Sequence, residues 1–188
     1  MNLESIISIC LGIGLAASVG FRLFLPLFAL SLASYFNILE LNESWQWIGS
    51  LSALLILGVA TIVEIFAYFI PYVDNLLDSI AVPLAALAGT MIMLSTVADL
   101  SPEITWALAI IAGGGTAAAI AGTSSAARLT STVTTGGIGN PVISTVETGT
   151  SILMSLVSII FPVLAIILVL VIFLIIFKFY KKFTNSKG

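Results

Sequence analysis

The sequence contains no histidine and a single cysteine, Cys10, in 188 residues. An intramolecular disulfide is therefore impossible, and a zinc site built from cysteine and histidine has no ligands. Nucleophilic sites that pair serine or cysteine with histidine are excluded for the same reason. Any metal would have to be held by carboxylates and carbonyls, which favours hard cations. Charge is scarce too: only 8% of the residues carry one. No stretch has the polarity or length of a separate water-soluble domain, so no nucleotide-hydrolysing unit is read. The glycine-rich stretch 113–123 lacks the Gly-Lys-Ser/Thr ending of a phosphate loop. Gly12-x-Gly14 follows no strand. These absences leave an enzyme unexpected. They also leave no cofactor and no nucleic-acid partner to expect.

What is present is apolar. Hydrophobic residues make up 60% of the chain, with a mean hydropathy of +1.22, far above the composition of soluble domains. The reading is one all-α membrane domain over 1–188, a polytopic integral membrane helical bundle of about five transmembrane helices. The spans fall at 6–35, 47–70, 76–97, 104–127 and 142–177. Gly20, Arg22 and Pro26 predict a kink or break inside the first, and Pro162 predicts a kink inside the last. Ser101-Pro102-Glu103 has the pattern of a helix start. Lys178, Lys181, Lys182 and Lys187 form a lysine-rich tail at 178–188, whereas Met1-Asn2-Leu3-Glu4 carries no basic side chain. The positive-inside rule then makes the C-terminus cytoplasmic and the N-terminus external, in a cell (inner) membrane. That requires an odd number of spans. A cleaved signal peptide is not expected, because the basic n-region is missing.

In the fourth span small residues recur every fourth position on every face, as in 113/117/121/125 and 114/118/122/126. This predicts a central helix that neighbouring backbones approach closely. The segment 129–140 is dominated by glycine and threonine, and is read either as a re-entrant segment or as an ordinary extramembrane loop. Asn140-Pro141 then predicts a capped helix start. A weak internal repeat is suggested by two matches. Gly12 to Val19 aligns with Gly113 to Ile120, and Pro71 to Asp78 with Pro141 to Thr148.

Six ionisable residues lie in or beside these spans: Arg22, Glu64, Asp74, Asp78, Arg128 and Glu147. A charge at the bilayer centre costs about 2.5–3.5 kcal/mol on insertion scales. Arg22 and Glu64 read either as a pair that sets helix register or as a substrate or proton site. Asp74 and Asp78 share one helix face, and read either as acids favoured by a helix N-terminus or as a cation entrance. Glu147 lies on a polar stripe with Ser144, Thr148, Ser151, Ser155 and Ser158, and Arg128 is its natural partner. Together with Asn140 and Ser151 these six are the candidate substrate- or ion-site residues. Four carboxylates face two arginines. If all are buried, two carboxylates must be hydrated, protonated or bound to a cation.

The segments Gly14 to Arg22, Tyr68 to Asp74, and Asn140-Pro141 with Glu147 resemble the small bacterial multi-pass membrane proteins grouped as domain of unknown function 4126. The resemblance covers nearly the whole chain except the lysine tail. It implies a membrane protein and transfers no activity or catalytic residue. The leading expectation is a small passive or proton/cation-coupled transporter or channel. The rival is a non-transporting assembly factor or subunit with internally paired charges. The expected partners are the lipid bilayer and an unidentified small solute or ion, with a homo-oligomer left open.

Overall fold

The computed structural model describes residues 3–98 and 100–185. Met1 and Asn2 of the N-terminal charge argument, and Lys187 of the tail, lie outside them. The described residues form helices and turns with no strand. The helices are α1 (Leu3–Val19), α2 (Phe24–Tyr35), α3 (Leu51–Ala67), α4 (Pro71–Thr96), α5 (Pro102–Leu108), α6 (Gly115–Thr135), α7 (Asn140–Ile160) and α8 (Pro162–Asn185). A 3-10 helix, Glu43–Gly49, precedes α3, and a π-helical turn, Ala109–Gly114, joins α5 to α6. Tyr72–Thr96, Pro102–Thr135 and Asn140–Ile160 are each long and apolar enough to cross a bilayer. The 3-10 helix and α3 reach that length together, across a bend of 63°. Leu3–Val19, Phe24–Tyr35 and Pro162–Lys178 are apolar but shorter. The chain is thus a helical membrane protein.

Contacts fix the directions of the longer helices. α4 runs against α1, since Gly12 lies beside Met93 and Thr96 and Ala98 N–H donates to Ser8 Oγ at 3.1 Å. α6 runs against α4: Gly113 meets Gly89, Gly122 meets Val82, and Arg128 reaches Asp74. α7 runs against α1, with Gly14 beside Ser158 and Arg22 beside Ser144. α8 runs back along α1, with Ala165 at Gly14 and Val169 clustered with Ala17. α3 runs against α2, with Gly49 at Ser34 and Gly58 at Phe28.

Two expected spans are corrected by these directions. Residues 6–35 are not one kinked span. The chain leaves α1 at Gly20 and runs back through α2. Asn42 Nδ2 then donates to Leu94 O and Val97 O, both at 2.7 Å, level with the start of α1. Gly20 permits this, because a Cβ there would fall 2.5 Å from Ile120. Residues 142–177 are likewise two antiparallel helices. Pro162 cannot donate a helix hydrogen bond and excludes its predecessor from the helical region. Phe161 accordingly sits at φ −133°, ψ 68°, and the chain turns back on itself.

The segment 129–140 is also corrected. It is not a loop of either kind over most of its length, re-entrant or extramembrane, because α6 continues to Thr135. Thr130, Thr134 and Thr135 hydrogen-bond back to carbonyls one turn earlier, which lets threonine sit in a helix without unpaired hydroxyls. Gly136, at φ 64°, ends it in a left-handed cap. Nor is α6 central on all faces. Ala117 and Ile120 are buried, whereas Gly115, Ala119, Thr123 and Ala126 are exposed. The two sequence matches behind the weak repeat do not combine. The first pairs α1 with α6, hence α2 with α7, and the second pairs α4 with α7.

Backbone meets backbone where α4 packs on the π turn. A Cβ on Gly89 would lie 2.7 Å from Gly113 O, and one on Gly113 would lie 2.6 Å from Gly89 O. Nothing surrounds Gly115 within 4 Å. Gly89→Ala should therefore lower the thermal unfolding midpoint in detergent by several degrees. Gly115→Ala should leave it unchanged or raise it, because alanine gains about 1 kcal/mol over glycine inside a helix. Equal effects from both would show that backbone contact is not what limits this packing.

Candidate functional site

All six ionisable residues in or beside the spans gather near one end of the bundle. Asp74 lies in the first turn of α4 and Asp78 one turn further on. Glu64 is in the last turn of α3. Arg128 lies two turns before the end of α6, Glu147 two turns into α7, and Arg22 in the break after α1. Arg22, Arg128, Glu64, Asp74 and Glu147 are buried. The Asp78 side chain keeps 17% of its exposure.

Arg128 is the hub. Its guanidinium pairs with Asp74 and Glu147, and its Nε lies 3.9 Å from Asp78 Oδ1. Arg22 pairs with Glu147 at 3.8 Å. Arg22 also donates to Thr148 Oγ1 at 2.9 Å and to Ser144 O at 2.8 Å. Both guanidiniums lie over the Tyr68 ring, at 4.1 Å and 4.0 Å from its centroid. The aromatic face attracts cations and so lowers the cost of holding two arginines side by side.

The expected pairings are partly redrawn. Glu147 meets Arg128, as its position on the polar stripe indicates. Glu64, expected beside Arg22 as its partner, instead accepts the backbone N–H groups of Leu23 at 2.6 Å and Phe24 at 2.9 Å. Those are free donors at the start of α2, where an anion is electrostatically favoured. Asn140 does not cap α7. It is the first residue of that helix, and Gly139 occupies the cap position. Its Nδ2 donates to Asp74 Oδ2 at 2.8 Å and to Thr132 Oγ1 at 3.0 Å, tying three helices together. Ser151 lies apart from the charges, in a polar seam between α7 and α1. There Ser18 Oγ is 2.9 Å from Ser151 Oγ and 2.7 Å from Ser155 Oγ. Tyr68 was not among the candidate residues, although its place four residues after Glu64 was a usable signal.

Beside this cluster lies an apolar cavity of about 610 Å³. Its walls are the break after α1, the outer half of α3 and the face of α4 that carries Leu77 and Ala81. Glu64 and Tyr68 are the two polar side chains in that wall. The volume lies in the range of roughly 300–1,000 Å³ usual for small-molecule sites. Among the described residues no group of three histidine, cysteine, aspartate or glutamate side chains could hold a metal ion.

The family model described as domain of unknown function (DUF4126) matches residues 9–182. The chain belongs to this family. The match spans every helix that contributes to the charge cluster, so the cluster lies wholly inside the family domain. Neither the curated proteins nor the solved structures offer a match to it.

Removing one partner from a buried ion pair leaves an uncompensated charge and costs about 3–5 kcal/mol. Arg128→Gln should lose that much stability in a detergent unfolding titration. Asp74→Asn added to Arg128→Gln should restore part of it, because one stranded carboxylate is then neutral. Glu64→Gln should cost about 1 kcal/mol, the scale of a lost helix cap, since its amide can accept only one of the two N–H groups. Additive effects of Arg128→Gln and Asp74→Asn would mean that the two side chains are not coupled.

Proposed function

We propose that this protein is a small transporter rather than an enzyme, in which the buried charge cluster couples passage of a solute to a proton or cation. The observation that carries the reading is the charge count of the cluster once its partners are known. Asp74 and Glu147 match the two arginines. Glu64 is met by the free N–H groups at the start of α2. Asp78 is left over, more than 3.5 Å from its nearest cation and the only partly exposed member of the set. The four carboxylates and two arginines carry a formal charge of −2; a proton or small cation at Asp78 reduces it to −1, the charge that the α2 N–H groups meet at Glu64. Two charge states at a site that borders the buried pairs are what coupling requires, because a ligand shifts an equilibrium only through differential affinity for the two states. The adjacent cavity supplies a chamber for a solute with a largely apolar surface.

A second reading is supported by the ion pairs that Arg22 and Arg128 make with Asp74 and Glu147. A non-transporting assembly factor or subunit would also satisfy its buried charges internally, and would use them only to set helix register.

Asp78→Asn separates the two. The Asp78 contact is long and partly exposed, so its loss should change stability by less than about 1 kcal/mol. In liposomes with an entrapped pH dye or a sodium or potassium indicator, the wild type should dissipate an imposed gradient and Asp78→Asn should not. Wild-type vesicles that hold proton, sodium and potassium gradients as tightly as empty ones would favour the second reading.

A further inference from the structure

We propose that the opposite end of the bundle carries a second site, which binds an organic ammonium cation. It is independent of the charge cluster and of the transport reading. A pocket of about 790 Å³ opens between the 3-10 helix, the last turns of α4 and the start of α5. The chain has three tryptophans, and all of them, Trp45, Trp47 and Trp106, line this pocket. Trp45 packs against the core and is held by it. Trp47 and Trp106 are more than half exposed, so their rings are free to meet a ligand. The Trp45 and Trp47 rings lie 6.3 Å apart with a 31° tilt. Glu43 adds a carboxylate to the same wall.

The mouth of the pocket is rigid. Asn42 is held by its backbone N–H to Ser95 O at 3.0 Å and by its side chain to Leu94 O and Val97 O. Its amide donors are thereby consumed, and the side-chain atom left for a ligand is an acceptor. The charged side chains described at this end are acidic: Glu4, Glu40, Glu43 and Glu103 lie here, whereas Arg22 and Arg128 lie in the cluster and Lys178 and Lys181 toward the far end of α8.

Aromatic rings beside a carboxylate select a cation that is bulky and weakly hydrated. Ring quadrupoles attract such a cation over their faces, and alkylated ammonium groups use this most. A metal ion would need more oxygen ligands than Glu43 and Asn42 supply. An anion would be repelled by the Glu43 carboxylate in the wall. The ammonium group has two sources, a lipid headgroup or a free solute, since tryptophans at such a position also suit a membrane interface.

Because every tryptophan lines the pocket, intrinsic emission reads the site directly. The experiment titrates full-length protein in neutral maltoside detergent with choline chloride. Controls are sodium chloride at equal ionic strength and the neutral isostere 3,3-dimethyl-1-butanol. Choline should change the emission saturably, and the two controls should not. Glu43→Gln and Trp106→Phe both alter exposed residues, so folding should survive. Each should weaken binding by roughly three- to tenfold, as the loss of one cation contact predicts. An equal response to the isostere, an unsaturable response to choline, or unchanged curves in both variants would overturn the proposal. Nanodiscs then identify the source. If phosphatidylcholine discs shift the emission alone and abolish the choline response seen in phosphatidylglycerol discs, the ligand is a headgroup. Identical choline curves in both discs mark a free solute.

Discussion

The Arg128 guanidinium ties α6 to α4 through Asp74 and to α7 through Glu147. The rest of this end of the bundle depends on it. A charge in hydrocarbon is costly alone and tolerable only when paired and hydrogen-bonded. Six ionisable groups on five parts of the chain therefore have one economical arrangement, which is to meet at one depth. The ends of α3 and α6 and the starts of α2, α4 and α7 converge there as a result. Helix N-termini add to the effect. Asp74 lies in the first turn of α4, and Glu64 faces the start of α2, so backbone dipoles share in neutralising the carboxylates.

Away from the cluster the packing rests on small residues. Gly89 and Gly113 bring α4 against the π turn, and Gly14 admits both Ser158 of α7 and Ala165 of α8 against α1. The serines of α7 face α1 and bond across to Ser18. A hydroxyl that reaches a neighbouring helix is satisfied without water, which suits a chain whose surroundings are hydrocarbon. The two ends of the bundle then differ in kind. One holds paired charges beside an apolar cavity, and the other holds tryptophans and glutamates.

Much of this site was legible in the sequence. Arg22, Glu64, Asp74, Asp78, Arg128 and Glu147 stand out because each is an exception to an apolar background, and all six do converge. The stripe through Ser144, Glu147 and Thr148 gave the inward face of α7 from helical spacing alone. Partner choice was not legible. Glu64 meets backbone N–H groups that exist only because the chain breaks at Gly20, and no side-chain pattern announces a backbone donor. The threonine-rich end of α6 misled because threonine is a weak helix former by propensity. In place, its hydroxyls bond back to the helix that carries them.

Composition and spacing by themselves determined an all-helical membrane protein with six ionisable residues in or beside its apolar spans. Hydropathy and the cost of a charge belong to each residue wherever it lies. Only the tertiary structure decided whether Gly20 and Pro162 bend the chain or reverse it. The same breaks decided which carboxylate meets which arginine. Those outcomes depend on groups far apart in the chain, such as Arg22 and Ser144 at a separation of 122 residues. A proline or glycine permits a turn, but its angle is set by the surfaces that the two arms find to pack against.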